Sequence, residues 1–249
     1  MSNEHNSNAI KINNLFFYQE GKPSNVFKQI DIYSFSLYCY FLIRQGQNKN
    51  VETSIKTIYE STKIAIKKTL IDHLLTLNKK KMIKIHNLEE GKKLKYNQTL
   101  FVTVNNKVSN IDSKYFLMNT NLFIDTIQTI KSYGWSLLCL LSMLHNYTYA
   151  TVNWSFGYAN PSIRGMADTL NIGETTVKKY IDILNKQKLI QVINQEPNYI
   201  GDNEFENFNN HYIVQNRIPG NKYYLDTFNK LIDSAREKQH SALADISYV

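Results

Sequence analysis

Apolar positions along this chain fall into helical periods that occur twice, and the clearer set lies in the second half. From Ser162 to Ile193, apolar residues stand at Ile163, Met166, Ala167 and Leu170, pause at Asn171-Ile172-Gly173, and resume at Val177, Tyr180, Ile181 and Leu184. Both runs keep the i, i+3, i+4 spacing of a helix with one buried face. The break is too short for stacking in line, so the two helices must cross sharply. Ala167 is small where they come closest, and Gly173 suits the N-cap of the second helix. Lys188 to Ile193 then alternates as a strand does, with His211-Tyr-Ile-Val214 as its expected hairpin partner.

The first half carries a weaker version of the same pattern. Residues 1 to about 12 are polar and expected to be loose. Leu15-Phe-Phe-Tyr18 is aromatic, and Gly21-Lys-Pro-Ser24 marks a turn. Ile32 to Arg44 reads as a short helix that is apolar nearly all round. From Ser54 to Ile85 the period holds at Ile55, Ile58, Ile64, Leu70, Leu74 and Leu77, although Tyr59 stands where Ala167 does and the turn lacks glycine. Strands are expected at Met82–Ile85 and Thr99–Val104, joined by a basic-ended loop over Asn87–Gln98. Residues 109–132 read as a helical connector, with an apolar period at Phe116, Leu117, Phe123, Ile124, Ile127 and Ile130. Tyr223–Lys238 reads as a final helix that packs on the second half or on another copy of the chain.

Three local matches tie the halves together. Phe35-Ser-Leu-Tyr-Cys39 resembles Trp135-Ser-Leu-Leu-Cys139, Ser54-Ile-Lys56 resembles Ser162-Ile-Arg164, and Leu77-Asn-Lys-Lys-Lys-Met-Ile83 resembles Leu184-Asn-Lys-Gln-Lys-Leu-Ile190. Their common order indicates an internal duplication. A longer polar loop over Tyr147–Pro161 absorbs the change in offset. The chain divides accordingly into an arm (1–27), a first unit (28–108), the connector (109–132), a second unit (133–217) and a C-terminal helix and tail (218–249). Two halves that fail to superimpose, or one undivided core, would end the reading of a fold of about a hundred residues copied once.

Charge adds a direction. The 249 residues hold 29 Lys and Arg against 21 Asp and Glu, net +8, which suits a polyanionic partner. From Lys49 to Lys95 there are 12 lysines against Glu52, Glu60, Asp72, Glu89 and Glu90. Asn194–Asn216 carries Glu196, Asp202, Glu204 and Glu206 with no Lys or Arg, so nearly all the net charge lies on the first unit. Lys79-Lys-Lys81 sits where cations satisfy the dipole at a helix C-terminus. The abundance of Asn, Ile, Lys and Tyr is what an AT-rich coding sequence gives, and the 4 Pro and 9 Gly leave little room for long linkers.

Several chemistries lack their residues. The six histidines have no metal-ligand or His-x-His spacing, and there is no GxxxxGK[ST] loop. Cys39 and Cys139 lie in apolar runs and read as buried, reduced thiols. No enzyme, metal or cofactor is therefore expected. MSNEHNSNAIKINN has no signal pattern, and no run of about 18 apolar residues occurs. The expected setting is cytoplasmic and DNA-associated, with no membrane.

Helix, turn, helix, strand, wing, strand is the order of a winged helix, and Ser162–Val214 resembles that family. The whole chain resembles two-winged-helix DNA-binding proteins of bacterial plasmids and phages. Trp135-Ser-Leu-Leu-Cys-Leu-Leu, a polar loop and Ser162-Ile-Arg look like the DnaD-like and replication-initiator style. The resemblance implies a mainly α fold with small β-hairpin wings (α+β), in two tandem winged-helix domains. It also implies sequence-specific binding of double-stranded DNA. On that reading Lys63, Lys67 and Lys68 lie on the first recognition helix and Lys92, Lys93 and Lys95 on its wing. Lys178 and Lys179 contact phosphates from the second recognition helix, Thr175 and Thr176 touch a thymine methyl or a phosphate, and Arg164 holds a phosphate. The acidic second wing points away from DNA or meets a protein. The expected role is a transcriptional regulator of a mobile element. The alternatives are a replication initiator at repeated origin sites, and an interaction or dimerisation module without base readout. Unlike units favour an asymmetric or direct-repeat site over a palindrome. Expected partners are duplex DNA, a second copy of the chain, and the replication or transcription machinery.

Overall fold

A computed structural model describes residues 9–19, 22–24, 26–45, 50–89, 93–105, 115–151, 159–194, 198–201, 204–206 and 209–215. The described chain is α+β, with six α-helices and small antiparallel sheets. The N-terminal stretch is not loose beyond residue 8. Ala9–Asn13 forms strand β1, which pairs antiparallel with Tyr115–Asn119, strand β7. Ile10, Ile12, Phe116 and Met118 point inward, while Lys11 and Leu117 stand opposite each other on the outer face. This is the alternation of a half-buried ribbon. With only five residues per strand, the alternation of 115–119 is too short to stand out from the helical period that continues through Ile130.

After a short 3₁₀ turn (Asn14–Phe16) and a two-residue ribbon (β2 Tyr18–Gln19, β3 Lys22–Pro23), helix α1 runs over Val26–Gln45 with a break at Asp31, where φ is 55°. The expected helix over 32–44 is its second limb. Phe16, Phe17, Phe27 and Phe35 pack ring to ring at 4.9–5.5 Å and pin the leading segment to that limb. An unexpected strand β4 (Val51–Ser54) precedes α2 (Ile55–Thr62) and α3 (Lys67–Lys79). Strands β5 (Ile83–Ile85) and β6 (Thr99–Val104) follow, close to expectation, and the sheet order is β4-β6-β5.

The second half repeats this order. Helix α4 (Thr120–Thr151) breaks at Lys131, φ 57°, as α1 breaks at Asp31. It runs through the start of the expected polar loop. Helices α5 (Ile163–Leu170) and α6 (Glu174–Lys186) have the same lengths as α2 and α3. Strand β8 (Ile190–Ile193) pairs with His211–Val214 (β11), as the sequence indicated, and the place of β4 is taken by a single bridge, Ala159 to Tyr212. Asn198–Gly201 (β9) and Glu204–Glu206 (β10) form a separate ribbon. The expected helix over 223–238 lies outside the described residues.

Backbone detail repeats as well. Ser54 and Ser162 accept from the N–H groups of Thr57 and Gly165 at 3.1 and 3.0 Å, N-capping α2 and α5. Left-handed residues Lys63 and Asn171 close those helices, and Lys81 and Lys188 follow α3 and α6. The last turns of α3 and α6 end in matching bonds, Met82 N–H to Leu77 O and Leu189 N–H to Leu184 O, at 3.0 and 2.9 Å. These are the six-to-one bonds of a Schellman closure. Residues 31–40 and 131–140 are exposed, half-buried and buried in the same order.

The two halves do not hold separate cores. One continuous buried cluster runs from Ile10 through Leu140 to Val214, and the expected connector contributes Phe116, Phe123, Ile127 and Ile130 to it. The order of elements repeats, but within one undivided core, so the reading of two self-contained copies does not hold. Among the described residues no helix is long and apolar enough to cross a membrane.

Because Ile12 is fully buried in β1, Ile12→Ala is expected to cost about 2–5 kcal/mol. A urea unfolding curve with unchanged slope should show it. A loose arm would show no change.

Candidate nucleic-acid interface

The outward stripe of α6 is built by helical spacing. Val177, Ile181 and Leu184 are buried against the core, which leaves Thr175, Lys178, Lys179 and Asp182 exposed together at i, i+3, i+4 and i+7. Thr176 is half-buried and turns away from that stripe, with its N–H bonded to Gly173 O at 2.9 Å. The expected threonine pair is thus split, and Thr175 alone shares a face with the two lysines. Arg164, the second residue of α5, has an 83% exposed side chain and only a 4.0 Å approach to Asp168. Such a pair leaves the guanidinium available to an anion.

In the first half, Lys63 is not on the second helix. It lies in the turn after α2 in the left-handed conformation, with its N–H bonded to Tyr59 O at 3.0 Å. Its Nζ stands 4.2 Å from the centre of the Tyr59 ring. The apolar period resumes at Ile64, which drew the expected helix start too early. Lys67 and Lys68 are the first two residues of α3, and their side chains lie outside the described set. Lys93 and Lys95 are exposed on the connection between β5 and β6, whereas Lys92 is outside the described residues. Of the acidic wing, Glu204 and Glu206 fall on β10, while Glu196 and Asp202 are not described.

Between α3 and α6 lies an aromatic seam that sequence reasoning missed. The Tyr33 hydroxyl donates to the Tyr133 hydroxyl at 3.4 Å, with the rings edge to face at 5.7 Å. Tyr133 stacks on Tyr180 of α6 at 5.4 Å, and Tyr33 lies 5.3 Å from His73 of α3. Burial, followed by the hydrogen bond with Tyr133, holds the Tyr33 phenol well above its ordinary range. Tyr33 and Tyr133 are separated by the same 100 positions as Cys39 and Cys139. That interval was the signal available in the sequence.

His73 is tied to the break in α1. Its Nδ1 lies 3.3 Å from Asp31 Oδ2 and 3.1 Å from Ser34 Oγ, and the Ser34 N–H donates to Asp31 Oδ1 at 2.8 Å. Both side-chain contacts fall on one ring nitrogen, so no serine-to-carboxylate proton relay runs through this ring. The cluster positions α3 against the capped second limb of α1. Among the described residues no group of three or more His, Cys, Asp or Glu side chains is arranged to hold a metal.

Burial alone would raise the Asp31 carboxyl, but the hydrogen bonds from His73 and from the Ser34 N–H outweigh it and hold it below its usual range. A depressed folded value means that ionised Asp31 stabilises the fold above the ordinary aspartate value of about 3.9. That contribution is lost as pH falls through the lower folded value. Asp31→Asn should accordingly lower the thermal midpoint near neutral pH by an amount that closes in acid. A difference that stays constant to the lowest pH would contradict the assignment.

No protein-family model, curated protein or solved structure matches this chain.

Proposed function

We propose that this protein binds double-stranded DNA sequence-specifically through two winged helices in one body, with α3 and α6 as the recognition helices. The observation that carries the reading is the repeated unit itself. A capped helix, a tight turn, a second helix and a hairpin occur twice with matching closures. The α6 copy presents Thr175, Lys178 and Lys179 on one exposed stripe. Helices of this kind enter the major groove by their N-terminal turns, while neighbouring cations hold phosphates.

The halves meet each other reciprocally. Strands β1 and β7 pair antiparallel about Lys11 and Leu117, and Tyr33 meets its counterpart Tyr133. Contact between counterpart residues, as at these tyrosines, is the mark of a twofold relation. Two helices so related meet a duplex in opposite senses, so the half-sites are expected in inverted orientation rather than as a direct repeat. Their sequences differ, because the outward faces of α3 and α6 differ.

The role that fits best is a transcriptional regulator of a mobile element, occluding or recruiting polymerase. The unlike helix faces also favour a second role, replication initiation, since one chain that fills an asymmetric site alone can fill iterated copies of it. Short repeats beside the gene would favour initiation, and one site across a divergent promoter would favour regulation. With duplexes selected from a random pool, Lys178→Ala/Lys179→Ala is expected to weaken binding on every sequence. It should also reduce the salt slope by about 0.9 for each phosphate that is no longer neutralised. Thr175→Ala should instead relax preference at one base pair, at about 1–3 kcal/mol if that side chain reads the base directly. Unchanged binding by both variants, or no selection at all, leaves only an interaction module without base readout.

A further inference from the structure

The two candidate recognition helices superpose in role but not in surface. Aligned by their starts, Gly173, Thr175, Lys178, Lys179 and Asp182 of the α6 region correspond to Ile66, Lys68, Ile71, Asp72 and Leu75 of the α3 region. Where α6 offers Gly173, Lys178 and Asp182, α3 offers the aliphatic Ile66, Ile71 and Leu75, while Lys68 and Asp72 keep charge on its stripe. Ile66 is 67% exposed and Leu75 39% exposed, and Ile71 is half-buried between them.

Folding does not account for Ile66. It occupies the N-cap of α3 and makes no capping bond, at a position where Ser, Thr, Asp or Asn would satisfy a free N–H. Its backbone is extended, φ −71° and ψ 151°, much like Gly173 at −72° and 146°, so neither residue is required by the turn. At Gly173 an added Cβ would meet nothing within 4 Å. The space in front of this helix end is open in the second half and is filled by a bare aliphatic side chain in the first.

We infer that α3 reads an A·T-rich half-site by apolar contact of Ile66, at its entering end, with a thymine methyl group. The inference rests on the DNA-binding reading above and specifies what the first half recognises. Charge selects the occupant. Ile66 adjoins Lys67 and Lys68, the exposed Lys93 and Lys95 belong to the same half, and Lys49–Lys95 holds 12 lysines against five acids. Such a surround suits a polyanion rather than an apolar protein face. Within a major groove the thymine C5-methyl is the apolar group on offer, while guanine presents two acceptors.

Replacing thymine by deoxyuridine removes this methyl and leaves every hydrogen-bonding group in place. The full chain is titrated with its selected duplex, and the half-site of α6 is identified as the one whose preference Thr175→Ala relaxes. Deoxyuridine in the other half-site is expected to weaken binding about fourfold per contacted methyl, the equivalent of one CH2 group left unburied. The same exchange in the α6 half-site should have a smaller effect. Ile66→Ser, at an exposed position, should bind thymine and deoxyuridine duplexes equally, with the salt slope unchanged. Equal affinity of the unaltered chain for both duplexes, with normal binding and salt slope, overturns this inference and leaves the DNA-binding reading standing. Loss of all duplex binding at every salt overturns both. A variant that binds DNA with its thymine dependence intact but changes mass in solution identifies the patch as a protein-binding face and overturns the inference.

Discussion

Each half of this chain is completed by the leading segment of the other. Gln128 Nε2 of α4 donates to the carbonyl of Ser61 at 2.8 Å, and Ser132 Oγ to that of Ile64 at 3.2 Å. These carbonyls lie at the C-terminal end of α2 and in the turn beyond it, where the helix offers no partners of its own. In the opposite direction, Thr169 Oγ1 near the end of α5, which donates to the Gly165 carbonyl, meets the Tyr18 hydroxyl at 3.4 Å. The β1–β7 ribbon closes the exchange, with equivalent strands paired against each other. Because the exchange runs both ways, neither helix pair has a finished environment alone. The angle between α3 and α6 is set by the shared core and by the Tyr33–Tyr133 seam.

That constraint explains which features the halves kept and which they lost. The left-handed residues recur as Asp31 and Lys131, Lys63 and Asn171, Lys81 and Lys188. Such a conformation costs an L-residue about 1–2 kcal/mol, so its recurrence reflects a backbone path that the packing demands. Apart from Asp31, which is held by the Ser34 N–H and His73, the side chains at those positions are free to differ because they face outward. The same freedom extends to the outer stripes of α3 and α6, where Ile71 and Leu75 stand in place of Lys178 and Asp182. A frame held in common with two independent surfaces is what reading an asymmetric site requires.

The second helix pair and its β8–β11 hairpin were legible from apolar spacing, since an amphipathic helix packed on one side writes its buried face directly into the sequence. The first pair was harder to read for two reasons. Its turn has no glycine, yet the structure places the left-handed backbone at Lys63 and leaves the glycine-equivalent Ile66 extended. Tyr59 replaces Ala167, and its ring is half-buried against the core with Lys63 Nζ 4.2 Å from its centre. The ribbon of Ala9–Asn13 with Tyr115–Asn119 escaped notice because its partners lie more than a hundred residues apart and each shows only two inward positions. Thr175 and Thr176 read alike in sequence. They differ because only the packed helix decides which of two neighbours faces out.

The central claim is that one body presents α3 and α6 to a single duplex in opposite senses. Hydroxyl-radical footprinting of the full chain on its selected site tests this most directly. The account predicts two protected segments on one face of the duplex, about 10 base pairs apart, flanking half-sites in inverted orientation with unlike sequences. A single protected groove, or two half-sites in the same orientation, would contradict it.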